Sequence, residues 1–306
     1  MQTLPEQVWR ERAAAHAAVV ERLAADRLAR RVEGRTHPVD DFLWDYYAVR
    51  PARLARWHPG PGVALDRAPE RAGWAHYAVA GGTAYLDRSS FLARRERTVD
   101  FVHDLLRETL SRPGRFGCFG LHEWAMVYRA DEHGLRHQGW PLRLGQEGTD
   151  AVVEAHQVAC SHFDAHRFFT PAAVPRNTLS PTRESQPAME QPGCLHAGMD
   201  LFKWCFKLAP AVPSDLTLEA FLLARDIREL DMRAAPYDLR QLGYEPVRIE
   251  TVAGRAEYVA AQRDFTVRSN ELRQRLLAML DEVLDEALPP ASAPPGRRAG
   301  PAQTSW

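Results

Sequence analysis

Lysine is almost absent from this chain. Its 39 basic residues include only two lysines, Lys203 and Lys207, and all the others are arginines. Arginine replaces lysine as a solvated charge, but its high pKa excludes it as a nucleophilic amine. A reaction that needs a side-chain amine would therefore have to use one of these two residues. The alternative is that both lysines lie on a solvated helix face and have no chemical role.

A basic charge surplus and long apolar runs are also missing. The formal net charge is −1, whereas DNA-binding domains usually carry a basic excess, because phosphate contacts supply most of their non-specific affinity. A nucleic-acid partner would therefore need a local basic face. No apolar run reaches membrane-spanning length and the N-terminus has no signal-peptide core, so we expect a cytoplasmic protein with no membrane partner. The four cysteines show no CxxC spacing and are expected to be reduced thiols.

Several motifs that mark cofactor sites are missing as well. The chain has no Walker loop, no GxGxxG segment after a strand and no GxSxG nucleophile elbow. The zinc-protease pattern HExxH is absent too, because Met126 stands where a second histidine would follow His122 and Glu123. The sequence therefore implies no particular cofactor, and a divalent metal is the one for which it offers candidate ligands.

Helical periodicity dominates the rest of the chain. Residues 74–86 differ, since two short apolar segments flank a Gly-Gly pair and predict a β-hairpin. We predict a mainly α-helical single domain over residues 1–288 with this one small hairpin. A disordered tail rich in Pro, Ala, Gly and Arg follows over residues 289–306. The proline-rich stretch 171–192 is too long for a plain connector, and we expect it to lie across the mouth of the main cavity.

The segment around Glu123 is the strongest local anomaly. On a helix, apolar side chains would cover both sides of this segment, which predicts that His122 and Glu123 are buried with it. An isolated buried carboxylate must be protonated, hydrogen-bonded or bound to a metal. Glu123 is therefore a candidate general acid or base with a raised pKa, and His122 lies beside it. A structural carboxylate paired with an arginine is the alternative.

Three further residues are candidates for catalysis: Asp226, Asp231 and Lys203. The two aspartates border the apolar stripe of a long predicted helix, and ion pairing with arginine is the alternative for both. Lys203 would share a polar helix stripe with His196 and Asp200. If that stripe faces inward, Lys203 is the reactive amine. Three large apolar residues on the opposite side favour the outward geometry.

Two pairs of residues have the spacing of metal ligands on a helix. His162 and His166 lie four positions apart, and so do His196 and Asp200. Side chains at this spacing share one helical face, where they can bind a divalent metal. A carboxylate from another helix would complete such a site. Histidines with a purely structural role are the alternative.

Aromatic residues are plentiful near these candidates. Four of them, Trp57, Trp124, Tyr128 and Trp204, would suit a substrate pocket for a flat, unsaturated ligand such as a nucleobase. Ordinary core packing is the alternative, because large aromatic side chains are usually buried for their hydrophobic area.

Five stretches of the chain resemble a group of high-GC bacterial proteins that are commonly labelled 3-methyladenine DNA glycosylases. The stretches are Asp41–Tyr47, Trp57–Gly62, Gly120–Tyr128, Ser161–Asp164 and Glu190–Arg233. The resemblance covers nearly the whole chain except its tail. It implies an enzyme that removes alkylated purines from damaged DNA. No catalytic residue comes with the resemblance, so the candidate site is inferred from the residues themselves.

Three functions are consistent with these features. As an alkylpurine DNA glycosylase, the protein would flip a damaged base into an aromatic pocket, where a buried carboxylate orients water or stabilises the developing sugar cation. Glu123 would serve first and Asp226 or Asp231 next, or Lys203 would attack the sugar directly. The second function is a helical, metal-dependent enzyme acting on a small aromatic molecule. The third is a non-enzymatic ligand-binding protein. The oligomeric state stays open.

Overall fold

The computed structural model describes residues 1–130 and 140–285, and over these residues the protein is mainly α-helical, as predicted. The helices are α1 (Glu6–Val32), α2 (Phe42–Tyr46), α3 (Pro51–Leu54), α4 (Arg88–Leu110), α5 (Leu121–Ala125), α6 (Gly145–Ala155), α7 (Phe163–His166), α8 (Gln186–Met189), α9 (Leu195–Lys207), α10 (Ser214–Ala234) and α11 (Val252–Leu284). None of the helices described is long and apolar enough to cross a membrane. The predicted tail, residues 289–306, lies outside the described residues, and the assignment of residues 1–288 to one domain stays a prediction.

A small sheet covers one end of the helical part. Its strands are β1 (Gln2–Leu4), β2 (Val63–Leu65), β3 (Tyr77–Ala80) and β4 (Thr83–Leu86), in the order β1-β2-β4-β3. The predicted hairpin is confirmed: β3 and β4 pair antiparallel, and Gly81 and Gly82 have the positive φ, 59° and 84°, that a type I′ turn requires. Two more strands extend the hairpin into a four-stranded sheet. Strand β2 pairs antiparallel with β4, and β1 pairs parallel with β2. Strands β1 and β2 have three residues each, which is too short to show an alternating pattern in the sequence. They are identified by their pairing in the structure, for example of Leu4 with Leu65.

Helix α9 packs against α10 and α11, and all of its residues except Lys203 and Lys207 are buried. Gly198 allows this close packing. A Cβ at that position would lie 2.7 Å from Ser269 Oγ of α11 and 2.9 Å from Ile227 Cδ1 of α10. The helix is therefore covered on all sides over most of its length.

The polar stripe predicted on α9 is buried rather than solvated. His196 and Asp200 are 7% and 1% exposed, although Met199 and Phe202 on the same helix are buried too. The expectation of an outward stripe is therefore wrong for its first two members. A helix that is covered on all sides has no solvated face to which these residues could turn.

Helix α6 does not extend to His162. Helix α6 ends at Ala155, and His156 is already extended, with φ −125° and ψ 152°. His162 is extended as well and precedes the four-residue helix α7. His162 and His166 therefore do not share one helical face, and the spacing argument for a metal pair fails for them.

The proline-rich stretch 171–192 is anchored to the protein rather than free. Its Asn177 donates to the backbone carbonyl of Cys160 and accepts from the Cys160 amide, at 2.9 and 2.7 Å. At its end, Glu190 and Gln191 are 3% and 7% exposed. The stretch thus contributes its last side chains to the interior.

Candidate functional site

Three buried side chains from three helices meet in the interior: His122 of α5, His196 of α9 and Asp231 of α10. One ligand atom from each lies within 4.8 Å of the other two. His122 Nε2 is 2.9 Å from Asp231 Oδ1, and the two imidazole rings are 4.5 Å apart at an angle of 81°. We call this group the histidine–aspartate cluster. Its members are 7% exposed or less.

Close packing at Gly120 brings α5 to this position. Gly120 precedes the helix with φ 73°, a conformation that L side chains rarely adopt. A Cβ there would lie 3.4 Å from Ala234 Cβ of α10 and 3.4 Å from the Tyr258 ring of α11. The glycine thus supplies both the turn and the space that let His122 approach α10.

The contact between His122 Nε2 and Asp231 Oδ1, at 2.9 Å, is short enough for an ion pair if the imidazole is protonated. Within the described residues, neither His122 Nε2 nor Asp231 Oδ1 has a hydrogen-bond partner. His122 Nδ1 lies 3.6 Å from Cys118 Sγ. If Nδ1 carries the proton and donates to this sulfur, Nε2 keeps a lone pair beside the carboxylate oxygen. Two lone pairs that converge in this way fit a shared cation.

An ion-pair network adjoins the cluster. Arg228 Nη1 lies 3.0 Å from Glu123 Oε1 and 3.3 Å from Asp231 Oδ2, and all three side chains are buried. The predicted burial of Glu123 is confirmed, and its partner is an arginine, the structural alternative. Arg228 is thus shared by two buried carboxylates. Burial lowers the pKa of His122, but Asp231 more than offsets this effect and raises it above the usual value.

A third histidine extends the polar interior. His162 stacks on His196, with ring centroids 5.3 Å apart. Its Nε2 lies 3.5 Å from Asp200 Oδ2 and 3.9 Å from Glu190 Oε2. Burial raises the pKa of Glu190. The predicted metal ligands His162, His196 and Asp200 are thus neighbours, although His162 reaches them from outside any helix.

Lys203 is held by two carboxylates. Its Nζ lies 2.6 Å from Asp200 Oδ2 and 3.0 Å from Asp164 Oδ2, and the Tyr47 hydroxyl donates to Asp200 Oδ1 at 2.8 Å. Burial lowers the pKa of Lys203, but the two carboxylates more than offset this effect and raise it above the usual value. A protonated amine engaged in two ion pairs has no lone pair with which to attack a sugar.

A cavity of about 20 Å³ opens beside the histidine–aspartate cluster. Cysteine, histidine, amide and tyrosine side chains from distant segments surround it: Cys118, His122, Cys160, Gln191, Cys194, His196, Tyr258 and Gln262. Its volume suits about one water molecule. All four cysteines are free, and burial raises the pKa of the Cys160 thiol. Gln191 is the one described residue of the 171–192 stretch in the lining, so that stretch borders the cavity at its end.

The four aromatic residues predicted to bind substrate do not line this cavity. Trp124 donates to the Ala234 carbonyl at 2.8 Å, and the Tyr128 hydroxyl donates to Glu154 at 2.7 Å. Trp57 belongs to a separate apolar cluster under the sheet. Trp204 packs edge-on against Phe101. All four side chains are buried in the core. The large aromatic side chain that lines the cavity is that of Tyr258.

Two other predicted site residues lie away from the cluster. Asp226 is exposed and pairs with Arg268, at 2.6 Å between Oδ2 and Nη2. His166 packs against Phe169, with ring centroids 4.9 Å apart, and is partly exposed. The periodicity argument put Asp226 at the edge of an apolar stripe, but a neighbouring helix supplies a surface partner instead.

Several residues of the site were not found by sequence reasoning. Arg228 stands three positions before Asp231, a spacing at which helical side chains meet, so it could have been identified. Nothing in the local pattern marks Tyr258 or Glu190, because distant segments bring them in. No family model, no curated protein and no solved structure matches this chain.

Proposed function

We propose that this protein is an enzyme that uses one divalent metal ion, held by His122, His196 and Asp231. The observation that carries the proposal is the convergence of three buried ligand atoms within 4.8 Å of one another. Two of them, His122 Nε2 and Asp231 Oδ1, lack a hydrogen-bond partner within the described residues. Buried polar atoms are rarely left in this condition. A set of two imidazoles and one carboxylate leaves coordination positions open, which is typical of catalytic rather than structural sites.

Residues around the cluster support this role. Cys118 lies where it can orient the His122 ring, and Arg228 holds the second carboxylate oxygen of Asp231. Such partners fix the direction of metal ligands.

The cavity beside the cluster has room for about one water molecule and not for a flipped base. It is about 20 Å³ in volume, and none of the described residues that line it is an arginine. A metal in this position would supply a Lewis acid and lower the pKa of a bound water. The protein itself would exclude bulk water and hold that water molecule beside side chains such as Tyr258 and Gln262. We therefore propose metal-assisted chemistry on a small molecule.

A structural interpretation competes with the metal. A proton on His122 would also balance the charge of Asp231, and the network would then only specify packing. Metal analysis of the purified full chain, after chelation and reloading with Zn²⁺, Mn²⁺ or Fe²⁺, separates the two. We expect about one ion per chain, as a single three-ligand site implies.

Two variants make this experiment specific. His196→Ala removes a proposed ligand, and we expect it to lose at least about tenfold in metal affinity. His166→Ala removes a histidine outside the cluster and serves as the matched control, with unchanged metal content. Equal metal content in both variants, or no ion in the parent, would contradict the proposal.

The glycosylase function implied by the resemblance has a separate test. Glu123 is engaged by Arg228, and Lys203 is engaged by two carboxylates, so neither is free to act on a sugar. We expect no covalent adduct when borohydride is added to the protein with DNA that contains an abasic site. An adduct that forms with the parent and vanishes in Lys203→Arg would instead establish a lyase amine.

A further inference from the structure

A second, larger cavity lies where the sheet meets the helices. Its volume is about 100 Å³, and residues from α1, α3, the hairpin region, α9 and α10 line it. The polar and aromatic members of the lining are His16, Arg53, Arg56, His58, Trp74, Phe206, Ser214 and Thr217. We call it the arginine cavity. Phe206 stands ten positions after His196 on α9, so the two cavities are about 15 Å apart along that helix.

The arginine cavity is positively charged. The Arg53 guanidinium lies 4.8 Å from the Phe206 ring centroid, and the Arg56 guanidinium lies 5.2 Å from that of Trp74. Neither arginine forms an ion pair with any carboxylate in residues 1–130 and 140–285, and the lining itself contains no acidic residue within these ranges. Arg71, behind Trp74 at 3.7 Å, adds a third cation. Uncompensated arginines attract an oxyanion.

The first turn of α10 faces the same space. Ser214 and Thr217 line the cavity, and the preceding Pro213 offers no side-chain cap. The positive end of the helix dipole therefore adds to the charge of the arginines.

His16 indicates which oxyanion fits. It is 5% exposed, lines the cavity, and its Nε2 lies 2.8 Å from the Leu54 carbonyl oxygen. A carbonyl only accepts, so Nε2 carries a proton, and in the neutral ring Nδ1 is then an acceptor. That buried Nδ1 has no hydrogen-bond partner in the described part of the chain. The neutral ring would therefore be satisfied by a ligand that donates a proton as well as carrying negative charge.

We infer that the arginine cavity binds an oxyanion of the phosphate class that retains one proton. Its charged oxygens would meet Arg53 and Arg56, and its P–OH group would donate to His16 Nδ1. Inorganic phosphate and singly protonated phosphomonoesters share this chemistry, whereas sulfate is of similar size but lacks the proton at neutral pH. The inference is independent of the metal proposed at the other cavity.

Calorimetric titration of the metal-free full chain tests this site, with inorganic phosphate, phenyl phosphate and sulfate as probes. We expect phosphate to bind about tenfold or more tightly than sulfate, because only phosphate can satisfy His16. Phenyl phosphate binding as tightly as phosphate would identify an esterified ligand, and weaker binding would identify free phosphate. The inference would be overturned if sulfate bound as tightly as phosphate, or if neither anion bound. This comparison uses only the parent protein.

Matched variants locate the binding. In Arg53→Gln/Arg56→Gln, we expect phosphate affinity to fall by about tenfold or more, since both charge-assisted contacts are lost. Arg22→Gln/Arg97→Gln removes the same charge from exposed positions outside the cavity and should change affinity by less than about twofold. Equal weakening by both double variants would mean that phosphate responds only to net charge.

Discussion

Buried charged side chains in this protein meet in small groups, and Lys203 is a clear example. Its amine lies between Asp200 and Asp164, and its side chain is only 14% exposed. The rarity of lysine in the chain suggested a reactive amine. The contacts instead make it a structural cation. Its compact ammonium group differs in shape from the planar guanidinium of arginine.

The first prediction concerns this ion pair. Lys203→Met leaves two carboxylates without their cation, and we expect it to lower the free energy of unfolding by about 3 kcal/mol. Lys207→Met serves as the control, because Lys207 is exposed and we expect a change of about 0.5 kcal/mol or less. Urea unfolding of the three proteins measures both values. Similar losses in the two variants would show that Asp200 and Asp164 do not depend on Lys203.

The second prediction concerns His58. Burial, reinforced by Arg71 and Arg56, lowers the pKa of His58 to about 3. The unfolded chain therefore binds this proton more readily, so stability is complete above pH 6.5 and is lost as pH falls from 6.5 towards 3. Between pH 7 and pH 5 we expect His58 to contribute a loss on the order of 2 kcal/mol. Its Nδ1 lies 3.0 Å from the Tyr77 hydroxyl oxygen.

The measurement is denaturant unfolding at pH 7 and pH 5 in phosphate-free buffer. His58→Gln removes the titrating group and should lose less stability than the parent over the same interval. The other histidines titrate in both proteins, so the difference between the two slopes isolates His58. Identical slopes would contradict the low pKa.

At the scale of elements, helix α9 connects the two cavities. It is buried along most of its length, and at Gly198 the side chains of α10 and α11 lie too close for an added Cβ. His196 in its first turn belongs to the histidine–aspartate cluster, and Phe206 in its last turn lines the arginine cavity. The packing of this one helix therefore positions both candidate sites.

The third prediction follows from this packing. Gly198→Ala would gain about 1 kcal/mol in helix propensity. The added Cβ meets Ser269 and Ile227 at less than 3 Å, however, and such overpacking costs about 1–3 kcal/mol. We expect a net loss of stability in thermal unfolding. Gly73→Ala, at an exposed position with no atom within 4 Å of the new Cβ, is the control and should be nearly neutral.

Helix boundaries were predictable only where caps or breakers mark them. Pro5 and Gly34 bracket α1, which extends over Glu6–Val32 as its composition indicates. The start of α6 is not marked in this way, because its polar first turn with Gly145 and Gly148 is typical of a loop although the helix begins at Gly145. Short apolar segments fit helix and extended chain equally well, and tertiary contacts such as those of Asn177 decide between them.

At the scale of the whole molecule, metal binding should be visible as added stability. A ligand that binds only the folded state raises the free energy of unfolding by about 2.7 kcal/mol at a hundredfold excess over its Kd. The fourth prediction is therefore that a saturating divalent metal raises the unfolding temperature of the parent and of His166→Ala. In His196→Ala the same addition should raise stability by at least about 1.3 kcal/mol less, because the metal binds about tenfold or more weakly. A similar rise in all three proteins would place the metal elsewhere, and no rise in the parent would favour the structural interpretation of the cluster.

The sequence by itself determined the helical class, the Gly-Gly hairpin and the burial of Glu123. These features follow from periods of two to four residues and from the conformational limits of glycine and proline, which are local properties. Only the tertiary structure decided which titratable groups meet. In the folded protein His122 contacts Asp231, Glu123 pairs with Arg228, and Lys203 pairs with two carboxylates. Asp226 lies at the surface. Such contacts depend on how distant helices pack against each other, and a local pattern records which face is apolar but not which partner covers it.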